Sequence, residues 1–461
     1  MPRFSSLRDF SLLCLGLALL HTRSFVMAVN PIIQTRFTAD PAPMVWNDTV
    51  YIFCDHDQPG AATGFNMIDW RLYSTTDMVN YVDLGSPLAL TAFSWASYNA
   101  WAPQTIERNG KFYMYVAAGQ SNGNMAVGVA VSDTIEGPYT DPIGKPLVAT
   151  STGNIDPTVF IDDDGQAYLY TGNPVLYYVK LNEDMISYSG VVQNVSLTTQ
   201  GFGARPNFLY NAEKPTTFEE GPWFYKRNGL YYLMYAADCC PEDIRYSTSN
   251  GPTGPWQYQG LIMGEQGGCL GNHAGVIDYK NKSYFFYHNQ GNSGGGQYDR
   301  SVCVEQFEYL SNGLFPTIEM TYTGAPQIGT LNPYQRVEAE TMADSFGVQT
   351  QPCSLGTQNI DALEDGYWLM VQGVNFGRGS GARNWTASVA SNTNGGTIEL
   401  RIGSLTGTLI GSLTVPSTGG WQNWQTLSTS VSGATGVQNL YLVFRGEPGF
   451  LFNVDWWSFS K

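Results

Sequence analysis

Residues 156–170 read DPTVFIDDDGQAYLY: an acid-proline pair, a short β-branched run, a turn of Asp and Gly, then an aromatic run. That order predicts a β-hairpin. The pattern recurs as DPAPMVWNDTVYIF (40–53), APQTIERNGKFYMY (102–115), EGPWFYKRNGLYYLMY (220–235) and HAGVIDYKNKSYFFY (273–287). The tyrosines Tyr51, Tyr113, Tyr168, Tyr231 and Tyr284 mark equivalent positions at intervals of roughly 50–60 residues, the repeat length of a four-stranded propeller blade. Outer-strand candidates follow three of the hairpins at 71–85, 129–142 and 244–260. Five repeats predict a five-bladed β-propeller. A stacked solenoid fits less well, since its repeats are shorter and no sustained helical period is present.

Before the first repeat, Arg3 and Arg8 precede the apolar run Ser11–Leu20, with small residues near Ala28. The run is too short to span a bilayer, so 1–28 reads as a secretory signal peptide and the mature protein as extracellular. Export makes one or two disulfides among Cys54, Cys239, Cys240, Cys269, Cys303 and Cys353 plausible; their scatter gives no zinc-ligand spacing. Sequons at Asn47, Asn194, Asn281 and Asn384 suit a glycoprotein. A formal charge of −16 with only 23 Lys plus Arg excludes nucleic acid and anionic membranes as partners. Aromatic residues at 14% against 13% charged leave a neutral, ring-stacking ligand as the natural alternative, bound by a monomer.

Superposing the hairpins brings the residues that open each inner strand onto the propeller axis: Asp40, the Trp101-Ala102 pair, Asp156, Glu220 and His273. The three acids each stand about eleven residues before their tyrosine, and Pro follows within two positions. One Asp-Pro alone is a turn residue. Three at matching positions gather like charges in one pocket, where they serve to raise a pKa or bind a cation. Such a set suits glycoside hydrolysis: the longer Glu220 as general acid, Asp40 as base, Asp156 to tune and orient the acid. Glu219 competes for the acid role, but strand alternation turns it to the other face. His273 has a polar role on the axis, one version of which is ligand to a central cation. The Asp162-Asp163-Asp164-Gly165 run is a solvated turn, lacking the later Glu of a calcium loop.

These residues resemble glycoside hydrolase family 43 over about residues 30 to 330. The likeness is carried by Thr38-Ala-Asp40-Pro-Ala-Pro43, Ala100-Trp101-Ala-Pro103, Asn154-Ile-Asp156-Pro-Thr158, Phe218-Glu-Glu220-Gly-Pro222, Asn272-His273 and Asp299-Arg300-Ser-Val302. It implies a five-bladed propeller, inversion at the anomeric carbon and the same three catalytic roles. It further implies that Trp101 stacks on the terminal sugar, that Arg300 contacts it, and that His273 helps hold calcium. By residue type alone, Trp101 reads as a core aromatic and Arg300 as a surface cation.

Gly324, Pro326, Gly329 and Pro333 interrupt the strand pattern, which ends the propeller domain (29–325) and opens a second domain over 334–461. Alternating strands such as 397–402 and 438–444 predict a β-sandwich, or jelly roll. Glu338-Ala-Glu340, Gly419-Gly-Trp421, Trp424 and Asn453-Val-Asp455-Trp456-Trp457 resemble carbohydrate-binding module family 6. That resemblance implies a structural calcium on Glu338, Glu340 and Asp455, and glycan contacts from Trp421 and Asn453. No clear counterpart of the family's cleft tyrosine occurs in 359–368, which leaves glycan binding and a packed appendage both open.

The combined expectation is a secreted inverting α-L-arabinofuranosidase acting on arabinoxylan, xylan or arabinan. A β-xylosidase or a bifunctional enzyme is the near alternative, and a non-catalytic glycan-binding propeller the distant one. Calcium is the only cofactor expected, with no organic group.

Overall fold

The structure is a computed structural model and describes residues 30–60, 64–205, 214–265 and 271–461. The signal peptide expected over 1–28, and Cys269, lie outside the described residues.

Five antiparallel sheets succeed one another along the chain as the blades of the propeller. Their first strands are Phe37–Trp46, Ala96–Arg108, Thr158–Ile161, Phe218–Arg227 and Gly275–Tyr279. Each pairs with the next strand in sequence, which holds the repeat's tyrosine. Four of these hairpins turn through Asn47-Asp48, Asn109-Gly110, Asn228-Gly229 and Lys280-Asn281, with positive φ at both positions. Such turns match the right-handed twist of paired strands, and Asn, Asp and Gly adopt them at least cost.

The expectation of four strands in every unit needs correction, because the second and fifth sheets have three. In the second blade, residues 140–148 touch Met125–Ser132 only through the bridges Val131–Thr140 and Val127–Val148. Pro142, Gly144 and Pro146 prevent a ladder there. In the fifth, the outer neighbour is the segment that precedes blade one. Ile32 N–H donates to the Val302 carbonyl at 2.8 Å and Thr38 N–H to the Arg300 carbonyl at 3.0 Å, while the Asn30 amide bonds the Val304 backbone in both directions. The start of the chain thereby closes the ring. Buried aromatic and apolar side chains including Phe53, Trp70, Met114, Met234, Phe285 and Tyr287 fill the space between blades.

The second domain packs a six-stranded sheet on a five-stranded one. Trp385 and Trp457 are fully buried in its core with Leu442, Phe444 and Val454. It is joined to the first blade by more than its linker. Thr341–Met342 adds as a strand to Tyr81–Asp83 at the blade's outer edge, capping unpaired backbone groups. The Asn80 side chain donates to the Gln372 carbonyl and accepts from the Gln372 N–H. Asp83, buried, accepts from Arg71 at 3.0 and 3.2 Å, from Gly85 N–H at 2.8 Å and from Thr350 Oγ1 of the second domain at 2.6 Å. Replacing Asp83 by Ala leaves the buried Arg71 guanidinium with only the longer 3.7 Å pair to Asp69, and loss of the closer partner of a buried pair costs up to about 3–5 kcal/mol. Urea unfolding of Asp83→Ala is expected to show that loss, together with faster proteolysis between 319 and 333 as the second domain loosens.

Candidate active site

Proline sets the local geometry of the axial residues. The ladder of blade one breaks between Ala39 and Ala42, that of blade two between Trp101 and Pro103, and that of blade four on both sides of Glu220. Pro41, Pro103 and Pro222 have no N–H to donate, so the strand bulges and the side chain one or two positions before is re-aimed. Asp40 and Asp156 take φ of 50° and 54°, a left-handed conformation uncommon for residues other than glycine. Strain of about 1–3 kcal/mol per such residue is sustained only where neighbours hold it. For Asp40 the holder is His288, whose Nδ1 accepts the Asp40 N–H at 3.2 Å while its Nε2 donates to the Gly271 carbonyl at 2.6 Å. That imidazole is neutral: burial and the nearby Arg300 bring its pKa down to about 4. Asp156 is held by the N–H of Gly221, 2.9 Å from its Oδ2. Gly221 has φ of 58°, and a Cβ there would stand 3.2 Å from the Asn272 carbonyl. Only glycine fits comfortably.

Asp40, Trp101, Asp156, Glu220, His273 and Arg300 line one cavity of about 80 Å³. The five axial positions expected from the repeat therefore meet, and Arg300, which the family resemblance placed at the sugar, joins them. Arg300 is not the surface cation its residue type suggested, being 3% exposed. Its Nη1 is 3.0 Å from Asp40 Oδ1, and its Nε and Nη2 are fixed by Asp57 at 2.9 and 3.0 Å. Burial raises the Asp40 carboxyl, but Arg300 together with His273, His288 and a hydrogen bond from Asp55 more than offsets it and holds Asp40 well below the usual carboxylate range. Glu220 goes the other way, pushed up to about 7 by burial and by the charge on Asp40, against an opposing hydrogen bond from Asn173. Burial and the charges on Glu220 and Asp40 raise Asp156 well above its ordinary value. The pocket thus holds one carboxylate and protonatable acids across from it. Glu219 is turned away, paired with Arg205 at 2.7 Å and with Lys214.

Asp55, Asp57, Asn173 and His288 escaped the sequence reading. Asp55 and Asp57 lie at the far end of a strand whose start carries the repeat signal, and His288 and Asn173 stand outside the repeat positions. Nothing in the one-dimensional pattern singles them out.

Residues 28–315 match the model of glycosyl hydrolases family 43, and 338–461 match carbohydrate binding module family 6. The chain belongs to glycosyl hydrolase family 43. Over 94% of its length it is 36% identical to an arabinoxylan arabinofuranohydrolase of Paenibacillus polymyxa, covering 74% of that protein. It is 35% identical, again over 94% of its length, to the Bacillus subtilis (strain 168) arabinoxylan arabinofuranohydrolase, covering 92% of it. A crystal structure of the Bacillus subtilis arabinoxylan arabinofuranohydrolase in complex with cellotetraose superposes with a TM-score of 0.81 at 32% identity, over 95% of this chain and 98% of that one.

The family-6 module departs from its expected glycan contacts at Asn453. This residue is 2% exposed, and its Nδ2 donates to the Trp421 carbonyl at 2.8 Å, so it has an internal partner in place of an exposed contact. Trp421 is half-buried. Among the described residues, no three His, Cys, Asp or Glu side chains are grouped closely enough to hold a metal. The module nevertheless has two features that fit a divalent cation: Glu340 Oε2 and Asp455 Oδ2 are buried acceptors with no hydrogen-bond partner. Glu338 is engaged by Arg336 at 2.7 Å. In the family-43 domain, His273 offers a single imidazole, which burial keeps below its usual pKa and therefore neutral, as a ligand must be. Among the described residues, the neighbours Cys239 and Cys240 are paired, while Cys54 and Cys353 are free thiols.

A general acid works only while protonated, so with Glu220 in that role kcat/KM is expected to fall as pH rises through its pKa of about 7. The Asn173 amide stabilises the ionised form. Asn173→Ala is therefore expected to raise the Glu220 pKa and move the alkaline limb of the pH–rate profile to higher pH.

Proposed function

We propose that this glycoside hydrolase is an inverting, exo-acting α-L-arabinofuranosidase of arabinoxylan, exported from the cell, with Glu220 as acid and Asp40 as base. The observation that carries the reading is the split between these two carboxyls, one kept ionised by Arg300 and the other pushed up to about 7 by burial. Acid and base catalysis on one glycosidic bond needs that asymmetry. Glu220 protonates the leaving oxygen and Asp40 takes a proton from the attacking water. Asp156, bonded to the backbone beside Glu220, orients the acid and adds a second group competing for the same proton. Trp101 offers a ring for the apolar face of the terminal sugar. The cavity is small beside the ~300–1,000 Å³ of pockets that enclose drug-sized ligands, which suits one terminal residue. Similarity to two arabinoxylan arabinofuranohydrolases over nearly the whole chain supports the choice of substrate.

Glu220→Gln and Asp40→Asn are each expected to lower kcat by about 10²–10⁴-fold or more with the fold intact. A panel of nitrophenyl glycosides is expected to rank α-L-arabinofuranoside above β-D-xyloside, galactosides and glucosides, with arabinose released from arabinoxylan. An early NMR time course should show the first released sugar with inverted configuration. Retention, or a xyloside preference, would overturn the corresponding part of the reading.

Calcium is the cofactor we propose for the family-6 module, held by Glu340 and Asp455, one buried oxygen of each having no hydrogen-bond partner. It would neutralise those buried carboxyls; bound at His273, it would add positive charge beside the axial carboxylates. Calcium is expected to raise the melting temperature of the whole protein, an effect that Glu340→Ala abolishes.

A further inference from the structure

Behind the proposed base lies a second carboxyl, Asp55, whose hydrogen bonds do not fit an anion. Asp55 follows Cys54 on the second strand of blade one, in register with Ala39. Its side chain is wholly buried. Three carboxyls, Asp40, Asp55 and Asp57, surround the single guanidinium of Arg300, and the nearby His288 is neutral. Three buried anions on one cation would leave two charges uncompensated, a state that proteins relieve by protonation.

A donor inventory locates the proton. Asp57 accepts from the Arg300 backbone N–H, Nε and Nη2, all at 2.9–3.0 Å, so it is a carboxylate. Asp40 accepts from Nη1 at 3.0 Å and is likewise an anion. Asp55 Oδ2 has only a long contact, 3.4 Å, to Nη2, which already serves Asp57. Asp55 Oδ1 is buried and meets no donor at all. An acceptor in that position costs its full desolvation, whereas a hydroxyl there becomes a donor. Asp40 and Asp55 meet the two neighbouring Nη atoms of the same guanidinium, at 3.0 and 3.4 Å, which brings the carboxyls side by side, and burial with the Asp40 and Asp57 charges drives Asp55 well above the carboxylate range against the pull of Arg300.

We propose that Asp55 is a neutral carboxylic acid whose O–H donates to the Asp40 carboxylate, making it a positioning residue for the base. It then works with Arg300: the guanidinium supplies charge and one bond to Asp40, and Asp55 supplies a second bond from another direction, fixing the carboxylate plane without adding another anion. The inference rests on Asp40 being the base, but the proton on Asp55 is readable without catalysis.

The test compares wild type, Asp55→Asn and Asp55→Val. Asn keeps a donor toward Asp40, and Val removes it with little change in volume and good strand propensity. The wild-type minus Asp55→Asn infrared difference spectrum at neutral pH is expected to contain the carbonyl stretch of one protonated acid, shifted by deuteration; other protonated acids cancel. In kinetics, Asp55→Val is expected to lose about tenfold or more in kcat with KM within about threefold, and Asp55→Asn to recover most of that rate. No acid carbonyl band, an Asn variant as impaired as Val, or a Val variant with unchanged kcat would each overturn the proposal. Should Val fail to fold, the infrared comparison still decides. Full activity in Asp40→Asn beside an intact Asp55 band would instead remove Asp40 from the base role and leave the Asp55 proton standing.

Discussion

The ion pair between Arg300 and Asp40, 3.0 Å apart and nearly closed to water, is the contact on which the site depends. A buried guanidinium needs several acceptors, and Arg300 finds them on blade one while standing at the start of the last strand of blade five. It therefore spans the seam where the ring closes. Beside it, the Arg300 carbonyl accepts from Thr38, two residues before Asp40. Closing the propeller and charging the axial pocket are thus parts of one piece of structure. A break at the seam would release the carboxylate whose charge separates it from its neighbours.

That charge organises the rest of the pocket. With Asp40 held as an anion, any further ionisation nearby is opposed by both burial and repulsion, so the Glu220 and Asp156 carboxyls are raised above their ordinary range. The titrations belong to the group rather than to each residue. Proline-led bulges and left-handed backbone at the acids bring side chains from separate blades into one small space. Neutral hydrogen-bonding groups hold the acids in place, His288 through the Asp40 backbone and the Gly221 N–H through the Asp156 carboxyl, without adding charge to be compensated.

The family-6 module is tied to the same blade that carries Asp40. Its strand Thr341–Met342 extends that sheet, and Asp83 joins the two domains through Arg71 and Thr350. Met370, Tyr441 and Val443 of the module pack with Val79 of the propeller. The module is consequently part of the support of blade one, whatever its affinity for glycan. Asn453, drawn inward to the Trp421 carbonyl, fits that supporting role.

The sequence alone determined the repeat, hence the five blades, because strand alternation, turn residues and the acid-proline positions are local and recur in phase. It also determined which carboxyls reach the axis, since equivalent positions in a ring must converge, and it marked the second sandwich by its shift in composition. It did not determine the strand count in blades two and five, where prolines and the early segment replace ladders. Nor did it determine the burial of Arg300 or the protonation pattern. Those depend on how many donors and acceptors meet in a space walled by residues far apart in the chain. Asp55 and Asp57 face Arg300 across more than 240 positions, and only the closed ring makes them neighbours of Asp40.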